Sequence, residues 1–182
     1  MDATDHRVQL VPVNDLADDL RAQIRSLDRR TEWGPFSDPR QLVWLNQPRW
    51  VAVVLLGDIL ASHVGVMDHE VLIAGRPQRI TGITSVMTEP ALQGKGYATA
   101  ALDVATAFMI EHLPVPFALL TALDHRRSLY AGRGWQTIRN PVFCDQPTGK
   151  IPLNVPGRHA MALPLGSVTL PSGDIDLCGL PW

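Results

Sequence analysis

The sequence predicts one α/β (α+β) domain spanning residues 1–182, in which a mixed, mostly antiparallel sheet carries helices on both faces. The length of 182 residues is that of a single domain. Apolar runs of strand length alternate along the chain with segments of helical period, the order typical of sheet-and-helix layers. Apolar residues make up 46% and charged residues 19%, as in a soluble protein with a hydrophobic core.

The first quarter of the chain is predicted to form a strand followed by helices. Residues 7–13 alternate, and Asn14 can cap a helix whose apolar residues recur every three or four positions. A glycine- and proline-containing loop follows at 31–39. Asp38 can then cap a short helix through Leu45, because Pro39 takes the first-turn position that proline favours.

The rest of the chain is predicted to alternate between strands and helices, ending in short strands. Gly57-Asp58 is a tight turn that joins the two arms of a hairpin. The predicted elements are strands at 50–56, 59–67 and 79–88, a buried helix at about 98–112, a strand at 116–121, a short helix capped by Asp124, and short strands including 159–163.

Composition excludes several classes of function. A net charge of −2 argues against a nucleic-acid partner, and there is no polybasic patch for a membrane surface. The polar segment Met1–Arg7 is unlike a signal peptide, and no apolar run reaches the ~20 residues of a membrane span. Cys144 and Cys178 lack metal-ligand spacing, so no metal is expected. These features predict a cytoplasmic protein with free thiols.

The segment Gln93-Gly94-Lys95-Gly96-Tyr97-Ala98 lies between a predicted strand and a buried helix. The first N–H groups of a helix lack intrahelical partners and carry partial positive charge, so a diphosphate is a natural occupant. Glycines let the backbone approach phosphate oxygens closely. The alternative interpretation is a glycine-rich turn that only joins strand to helix. Neither a dinucleotide-binding fingerprint nor a P-loop fits these residues.

Two motifs together resemble those of GNAT N-acetyltransferases. Gln93-x-x-Gly96-x-Ala98 is similar to that family's Gln/Arg-x-x-Gly-x-Gly/Ala signature, in the same strand–loop–helix context. Downstream, the segment 128–135 resembles the family's Leu-Tyr-x-x-x-Gly-Phe/Trp motif. The resemblance implies a GNAT fold, with a sheet splayed in the middle and acetyl-CoA in a gap between the strand ending near Thr88 and the strand 117–121.

The resemblance also implies which residues bind the cofactor. Backbone groups of the strand end would pair with the pantetheine arm as an added strand does, and the loop would bind the pyrophosphate. The residues so assigned are Val86, Met87, Thr88, Gln93, Gly94, Lys95, Gly96, Tyr97 and Ala98. Acetyl-CoA is thus the expected co-substrate.

A narrower resemblance is to aminoglycoside 2′-N-acetyltransferases. It rests on three segments: 126–135, Pro147-Thr148-Gly149, and the ending Leu177-Cys178-Gly179-Leu180-Pro181-Trp182. In that family a long irregular tail folds back to build the antibiotic pocket. The resemblance therefore implies that residues 140–182 close an acceptor pocket.

Direct acetyl transfer needs a proton for the leaving thiolate, and the resemblance assigns that role to Tyr130. The oxyanion would be stabilised by a backbone N–H near Val86. Thr84 stands where the antibiotic-modifying relatives have a glutamate, and a threonine cannot accept a proton, although it can orient a water. The base is therefore left open among Glu32, Asp38, the terminal carboxylate and a water path to bulk solvent.

The acceptor is expected to be a small amino sugar. Its binding residues are predicted as Glu32, Trp33, Asp38, Thr84, Ser85, Thr121 and Trp182. The segment 151–159 contains no carboxylate, whereas Arg158 and His159 make it mildly basic. A strongly polycationic aminoglycoside would lack counter-charges there. Kasugamycin, with one 2′-amine and an amidine-carboxylate, fits better and is the specific hypothesis.

Two other functions remain open at this point. One is acetylation of a protein or peptide amine, although a proline-rich tail ending in Trp182 favours a closed pocket over an open groove. The other is a non-catalytic acyl-CoA sensor, which the threonine at position 84 allows and Tyr130 argues against. The sequence leaves a homodimer open.

Overall fold

The computed structural model describes residues 6–30, 42–44, 47–154 and 156–182. The chain folds into two compact units. The first unit comprises residues 1–41, 47–67 and 84–108, and the second comprises residues 42–46, 68–83 and 109–182.

The described residues form ten strands and three α-helices. The strands are β1 (Arg7–Pro12), β2 (Trp50–Leu56), β3 (Ile59–Ile73), β4 (Arg76–Thr88), β5 (Phe117–Leu123), β6 (Gln136–Thr137), β7 (Val142–Gln146), β8 (Gly149–Pro152), β9 (Arg158–Pro164) and β10 (Ile175–Asp176). The helices are α1 (Asp18–Arg30), α2 (Tyr97–His112) and α3 (Arg127–Ala131). Short 3₁₀ turns occupy Val13–Asp15, Pro90–Leu92 and Asp124–Arg126.

The first unit is built on the hairpin of β2 and β3. β1 pairs antiparallel with β2 from Arg7↔Leu55 to Pro12↔Trp50, and β2 pairs antiparallel with β3. The five central residues of β2 are all buried, as expected of a valine-rich strand covered on both faces.

Two helices cover opposite faces of this first sheet. Leu20 and Leu27 of α1 belong to the same buried cluster as Val51 and Val53 of β2. Trp50, the preceding residue of β2, contacts Phe108 of α2 with ring centroids 5.1 Å apart. Because successive side chains of a strand point to opposite faces, α1 and α2 lie on different sides of the sheet.

The second unit contains β5 to β10 together with residues 68–73 of β3 and 76–83 of β4. These strands have the order β6-β9-β5-β4-β3-β10-β7-β8 and are called the second sheet here. β5 pairs antiparallel with β9 along its whole length, from Phe117↔Pro164 to Leu123↔Arg158. The parallel pairs are β4 with β5, at Thr81↔Ala118 and Gly82↔Leu119, and β10 with β7. β10 therefore lies between β3 and the β7–β8 hairpin.

The predicted fold class, a mixed and mostly antiparallel sheet with helices, is confirmed, and three details of the prediction are corrected. Asn14 does not cap α1, because a 3₁₀ turn occupies Val13–Asp15 and the helix begins only at Asp18. Asp124 makes no capping hydrogen bond, because its carboxylate bonds His159 instead. The short helix begun by Asp38 lies mostly outside the described residues, and residues 42–44 are not helical.

Candidate active site

The glycine loop lies at the start of α2, in the first unit. Its entry is the 3₁₀ turn Pro90–Leu92, where the Gln93 N–H donates to the Pro90 carbonyl at 3.4 Å. Gly94 and Gly96 have φ of 76° and 87°, a left-handed conformation that favours glycine. The helix then begins at Tyr97 and runs for 16 residues.

The surface of this loop is open enough for a diphosphate. A Cβ built on Gly94 or Gly96 would meet no atom within 4 Å, and residues 93–96 are all exposed. The helix that follows is long enough to carry a full dipole, positive at this end. The residues present therefore fit the pyrophosphate of a CoA thioester.

The last residues of β4 show which backbone groups face outward from the first sheet. The Ser62 hydroxyl donates to the Met87 carbonyl at 2.7 Å, and the Glu89 N–H donates to the Ala61 carbonyl at 2.9 Å. Residues 87 and 89 thus turn toward β3. Because backbone groups alternate along a strand, those of Val86 and Thr88 point to the other edge. Their N–H groups can pair with an extended ligand, whereas the Thr88 carbonyl accepts from the Gln93 side chain at 3.5 Å.

The middle of β4 is locally irregular. Ser85 has φ of 49°, a left-handed conformation that costs a non-glycine residue roughly 1–2 kcal/mol. Thr84, its neighbour, is buried, and its methyl group lies where a Cβ at Gly65 would come within 2.8 Å. The glycine at position 65 of β3 therefore leaves the space that the threonine side chain occupies.

Tyr130 is a buried residue of α3, in the second unit. Its ring meets that of Trp135 in an edge arrangement with centroids 6.4 Å apart. Burial raises the pKa of the Tyr130 phenol to about 12, against the opposing effect of the Arg126 charge. The phenol consequently holds its proton at neutral pH, as a proton donor must.

The turn that leads into α3 is fixed to β9. The Asp124 carboxylate hydrogen-bonds the imidazole of His159, and the Asp124 N–H donates to the Gly157 carbonyl at 3.2 Å. This contact connects the end of β5 to the start of the helix that carries Tyr130. It positions the helix without using an N-cap side chain.

Trp182, the last residue of the chain, is buried against β4. A Cβ at Gly82 would lie 2.3 Å from the indole Nε1, so the ring occupies the space that a side chain would need there. Gly82 pairs with Leu119, and side chains alternate along β5, so Thr121 lies on the same face as Leu119. Trp182 and Thr121 therefore share one face of the second sheet.

Arg158 also belongs to that face. It pairs with Leu123, two residues beyond Thr121, and it is only 6% exposed. Its guanidinium carbon lies 4.5 Å from the ring centroid of Trp44, a cation–π contact. The second unit thus places Thr121, Trp182, Arg158 and Trp44 around one face of β4, β5 and β9.

The structure distributes the sequence-predicted residues between the two units. The first unit contains Thr84, Ser85, Val86, Met87, Thr88 and the loop Gln93–Ala98; the second contains Thr121, Tyr130 and Trp182. The predicted residues Glu32, Trp33 and Asp38 lie outside the described residues.

Sequence reasoning did not single out Gly82 or His69, both of which contact Trp182. A signal existed for the first of them. A glycine inside a run of β-branched residues often marks the close approach of another group, and Gly82 stands inside such a run.

Within the described ranges, no cluster of three or more histidine, cysteine, aspartate or glutamate side chains is suited to hold a metal ion. No α-helix in the described part of the chain has both the length and the apolarity to cross a bilayer. Cys144 is a buried free thiol and Cys178 an exposed one.

Comparison with known proteins gives the class of the protein. A family model described as "Acetyltransferase (GNAT) domain" matches residues 28–138. The chain is 26% identical over 168 residues to an aminoglycoside 2′-N-acetyltransferase of Mycolicibacterium fortuitum, covering 92% of this chain and 83% of that protein.

Two solved structures show the same fold. One is an acyl-CoA N-acyltransferase from Pseudomonas aeruginosa, with a TM-score of 0.62 and 13% identity, covering 87% of this chain and 99% of that one. The other is ElaA from Escherichia coli, with a TM-score of 0.61, 14% identity and the same coverage. The chain belongs to the GNAT acetyltransferase family. It is an N-acetyltransferase, as the sequence predicts, and its fold implies an acyl-CoA co-substrate.

Proposed function

We propose that the protein transfers an acetyl group from acetyl-CoA to the 2′-amine of a small amino-sugar antibiotic, with kasugamycin as the leading candidate. The amine attacks the thioester directly in a ternary complex. The acetylated antibiotic no longer inhibits the bacterium that expresses the protein. The similarity to an aminoglycoside 2′-N-acetyltransferase over 92% of the chain supports this acceptor class.

The cofactor part of the proposal rests on the first unit. The open glycine loop binds the pyrophosphate through the N–H groups at the start of α2. Val86 and Thr88 bind the pantetheine arm along the outward edge of β4, Thr88 through its N–H because its carbonyl accepts from Gln93. Met87 contributes less because its carbonyl accepts from Ser62 and turns toward β3. When bound, acetyl-CoA supplies a thioester whose acetyl group passes to the amine.

The chemical part rests on Tyr130. As the C–S bond breaks, the phenol, which is protonated at neutral pH, donates its proton to the sulfur and regains one from solvent after the thiol leaves. The attacking nitrogen forms the new C–N bond and loses its own proton to water. Thr84 orients that water in the proposal, with Glu32, Asp38 and the terminal carboxylate of Trp182 as alternative acceptors of the proton. The oxyanion is stabilised by a backbone N–H near Val86.

The acceptor part rests on the second unit, in which residues 140–182 close the pocket within a single catalytic domain. Trp182 and Thr121 share one face of the sheet, where a sugar ring can pack on the indole and hydrogen-bond the threonine. Glu32, Trp33, Asp38 and Ser85 complete the proposed set. Substrate and cofactor are small molecules, and the proposal includes no nucleic acid, membrane or metal; a homodimer is compatible with it.

One observation carries the choice of acceptor, namely that four carboxylates of the second unit already have cationic or hydrogen-bonded partners. Asp68 pairs with Arg79, Asp124 bonds His159, and both Asp145 and Asp176 pair with Lys150. These groups are partly compensated within the fold and so offer less attraction to a polycation than unpaired carboxylates would. Arg158 on the acceptor face favours a substrate with a carboxylate of its own.

The test is a thiol-release assay with acetyl-CoA across amino sugars. The panel contains kasugamycin and several polycationic aminoglycosides with a 2′-amine, and mass spectrometry locates the added acetyl group. We expect the highest kcat/KM for kasugamycin, acetylated at the 2′ position, and growth of a susceptible bacterium that expresses the protein at higher kasugamycin concentrations. Turnover of the polycationic compounds with kasugamycin left untouched would contradict the specific assignment. If none of the amino sugars caused release of thiol from acetyl-CoA, the whole proposal would be contradicted.

A further inference from the structure

The C-terminal segment from Leu177 to Trp182, here called the tail, is attached to the second sheet at its beginning. The Leu177 N–H donates to the Phe143 carbonyl at 2.9 Å, and the Asp145 N–H donates to the Gly179 carbonyl at 2.7 Å. Both bonds connect the tail to β7. The β3 strand supplies a third attachment through His69, whose Nε2 lies 2.8 Å from the Leu177 carbonyl oxygen.

The third attachment defines which nitrogen of the His69 imidazole carries a hydrogen. A carbonyl oxygen only accepts hydrogen bonds, so the Nε2 of His69 must carry the hydrogen and donate it. This bond also orients the ring, which meets the indole of Trp182 at an interplanar angle of 60° with centroids 5.2 Å apart. One imidazole therefore contacts both the first and the last residue of the tail.

The tail reverses direction between these two contacts. Cys178 has φ of 54°, and its N–H donates to the Asp176 carboxylate at 3.0 Å, which stabilises the bend. The reversal brings Trp182 back over Gly82 of β4. The bend at Cys178 and the bond of Leu177 to His69 together direct the tail back toward β4.

The polar N–H of the indole contributes little to fixing the position of the ring. Among the described residues, the Trp182 Nε1 is a buried donor without a hydrogen-bond partner. An unpaired buried donor does not stabilise the position of its ring. The ring is held by shape, at the space left by Gly82, and by the edge contact with His69. The imidazole adds a side-chain hydrogen bond to the two backbone bonds that tie the tail to β7, and it also contacts the ring of Trp182.

We propose that His69 is a positioning residue that seats Trp182 over Gly82 and so determines how tightly the acceptor binds. The inference rests on the proposed function, in which Trp182 forms part of the acceptor pocket. His69 acts through Trp182 and takes no part in the transfer of the acetyl group or the proton. Acceptor binding depends on it, whereas acetyl-CoA binding does not.

The experiment compares two variants at this position. His69→Phe keeps a ring for the contact with Trp182 but removes the donor, and His69→Gln restores an N–H at similar reach. His112→Phe makes the same chemical change at an exposed histidine of α2 and is the control. We expect the acceptor KM of His69→Phe to rise roughly five- to tenfold, as for one lost hydrogen bond, with the acetyl-CoA KM unchanged. His69→Gln should restore most of the wild-type acceptor KM.

A second readout follows the tail without using activity. Carboxypeptidase Y should release Trp182 faster from His69→Phe than from wild type, His69→Gln or His112→Phe, with mass spectrometry as the detector. Equal release from all four proteins would overturn the inference, and so would faster release with an unchanged acceptor KM. If His69→Phe does not fold, Gly82→Ala disturbs the same seat from the β4 side, and the same two readouts decide.

The activity of the wild-type protein separates this inference from the proposed function on which it depends. A wild-type protein that acetylates none of the amines contradicts the proposed function, and the inference falls with it. A wild-type protein that acetylates an amino sugar, with a His69→Phe variant of the same acceptor KM, contradicts only the inference.

Discussion

The glycine loop at 93–98 and the tail at 177–182 are held in place by contacts of very different range. The loop is fixed mainly by near neighbours: Gln93 bonds the carbonyls of Pro90 and Thr88, and the Ala100 N–H bonds the Gly96 carbonyl. One distant contact adds to these, between the rings of Tyr97 and His6, whose centroids lie 5.6 Å apart. The tail is fixed by residues far away in the chain. His69 lies 108 positions from Leu177, and Gly82 lies 100 positions from Trp182.

This difference separates two tasks that the proposed reaction requires. A loop built from local contacts binds the part of acetyl-CoA that never changes, so a short motif is sufficient for it. A tail held by distant contacts can be altered by substitutions at the residues it touches, such as His69 of β3, Gly82 of β4 and Phe143 of β7. The acceptor specificity of such a protein can therefore change while the cofactor site stays the same.

The largest expected effect concerns Tyr130, which belongs to neither region. Tyr130→Phe removes the proton donor, so kcat should fall by about 100-fold or more, the range typical of general acid catalysis. The affinities for acetyl-CoA and acceptor should stay within experimental error. Thiol release measures kcat, calorimetric titration measures binding, and circular dichroism checks the fold. A variant that retains kcat would exclude Tyr130 as the donor.

The same residue should make the protein sensitive to alkaline pH. The pKa of Tyr130 is about 12 in the folded protein and 10.0 as the reference, so the unfolded chain loses this proton first as pH rises. Stability is fully present below pH 10 and declines up to pH 12, by about 3 kcal/mol in total. Urea unfolding of wild type and Tyr130→Phe between pH 10 and pH 12 measures this decline in the free energy of unfolding. Parallel curves for the two proteins would contradict the expectation.

Gly96→Ala tests whether the loop binds acetyl-CoA, and Gly57→Ala is the matched control variant. Both glycines have positive φ, 87° and 60°, and in neither case would a Cβ meet an atom within 4 Å. Each alanine should therefore cost roughly 1–2 kcal/mol of stability. Only Gly96→Ala should raise the Kd for acetyl-CoA, by about tenfold, because its Cβ would keep the phosphate oxygens away from the backbone of the loop. Equal Kd values for the two variants would mean that the loop does not bind the cofactor.

Gly82→Ala tests whether the position of Trp182 affects acceptor binding, and Gly166→Ala is the matched control variant. A Cβ at Gly82 would collide with Trp182, whereas a Cβ at Gly166 meets nothing within 4 Å. The collision should cost roughly 1–3 kcal/mol and displace the indole, as in other overpacked sites. We expect a rise in acceptor KM that Gly166→Ala does not show. An unchanged acceptor KM with a displaced indole would separate Trp182 from the acceptor pocket.

The smallest effect is expected at the ion pair of Arg30 with Glu89, whose atoms are 2.6 Å apart. This pair joins α1 to the residue before the 3₁₀ turn that enters the loop. Arg30 is 53% exposed, so Arg30→Met should change stability by less than about 1 kcal/mol. If the loop is held locally, the Kd for acetyl-CoA should not change. A large change would mean that the loop depends on distant contacts as the tail does.

The range of the contacts also explains what the sequence could predict. The strand Trp50–Leu56, the turn at Gly57 and the helix after Gly96 follow from patterns within a few residues, and the structure has all three. The family resemblance rested on two such local motifs, and the family is confirmed.

The contacts of the tail could not be predicted in the same way. That Trp182 would lie over Gly82, or that His69 would bond the Leu177 carbonyl, depends on strand order and register. No periodicity in the sequence encodes those. Asp124 shows the same limit, because its local position favours a cap while the distant His159 takes its carboxylate.

The most direct test is a two-substrate kinetic comparison of Gly96→Ala and Gly82→Ala, using the best acceptor of the wild-type panel. The steady-state KM is measured for acetyl-CoA and for the acceptor in both variants. We predict that Gly96→Ala raises only the KM for acetyl-CoA and that Gly82→Ala raises only the KM for the acceptor. If each variant raises both KM values equally, the division of tasks between loop and tail is wrong.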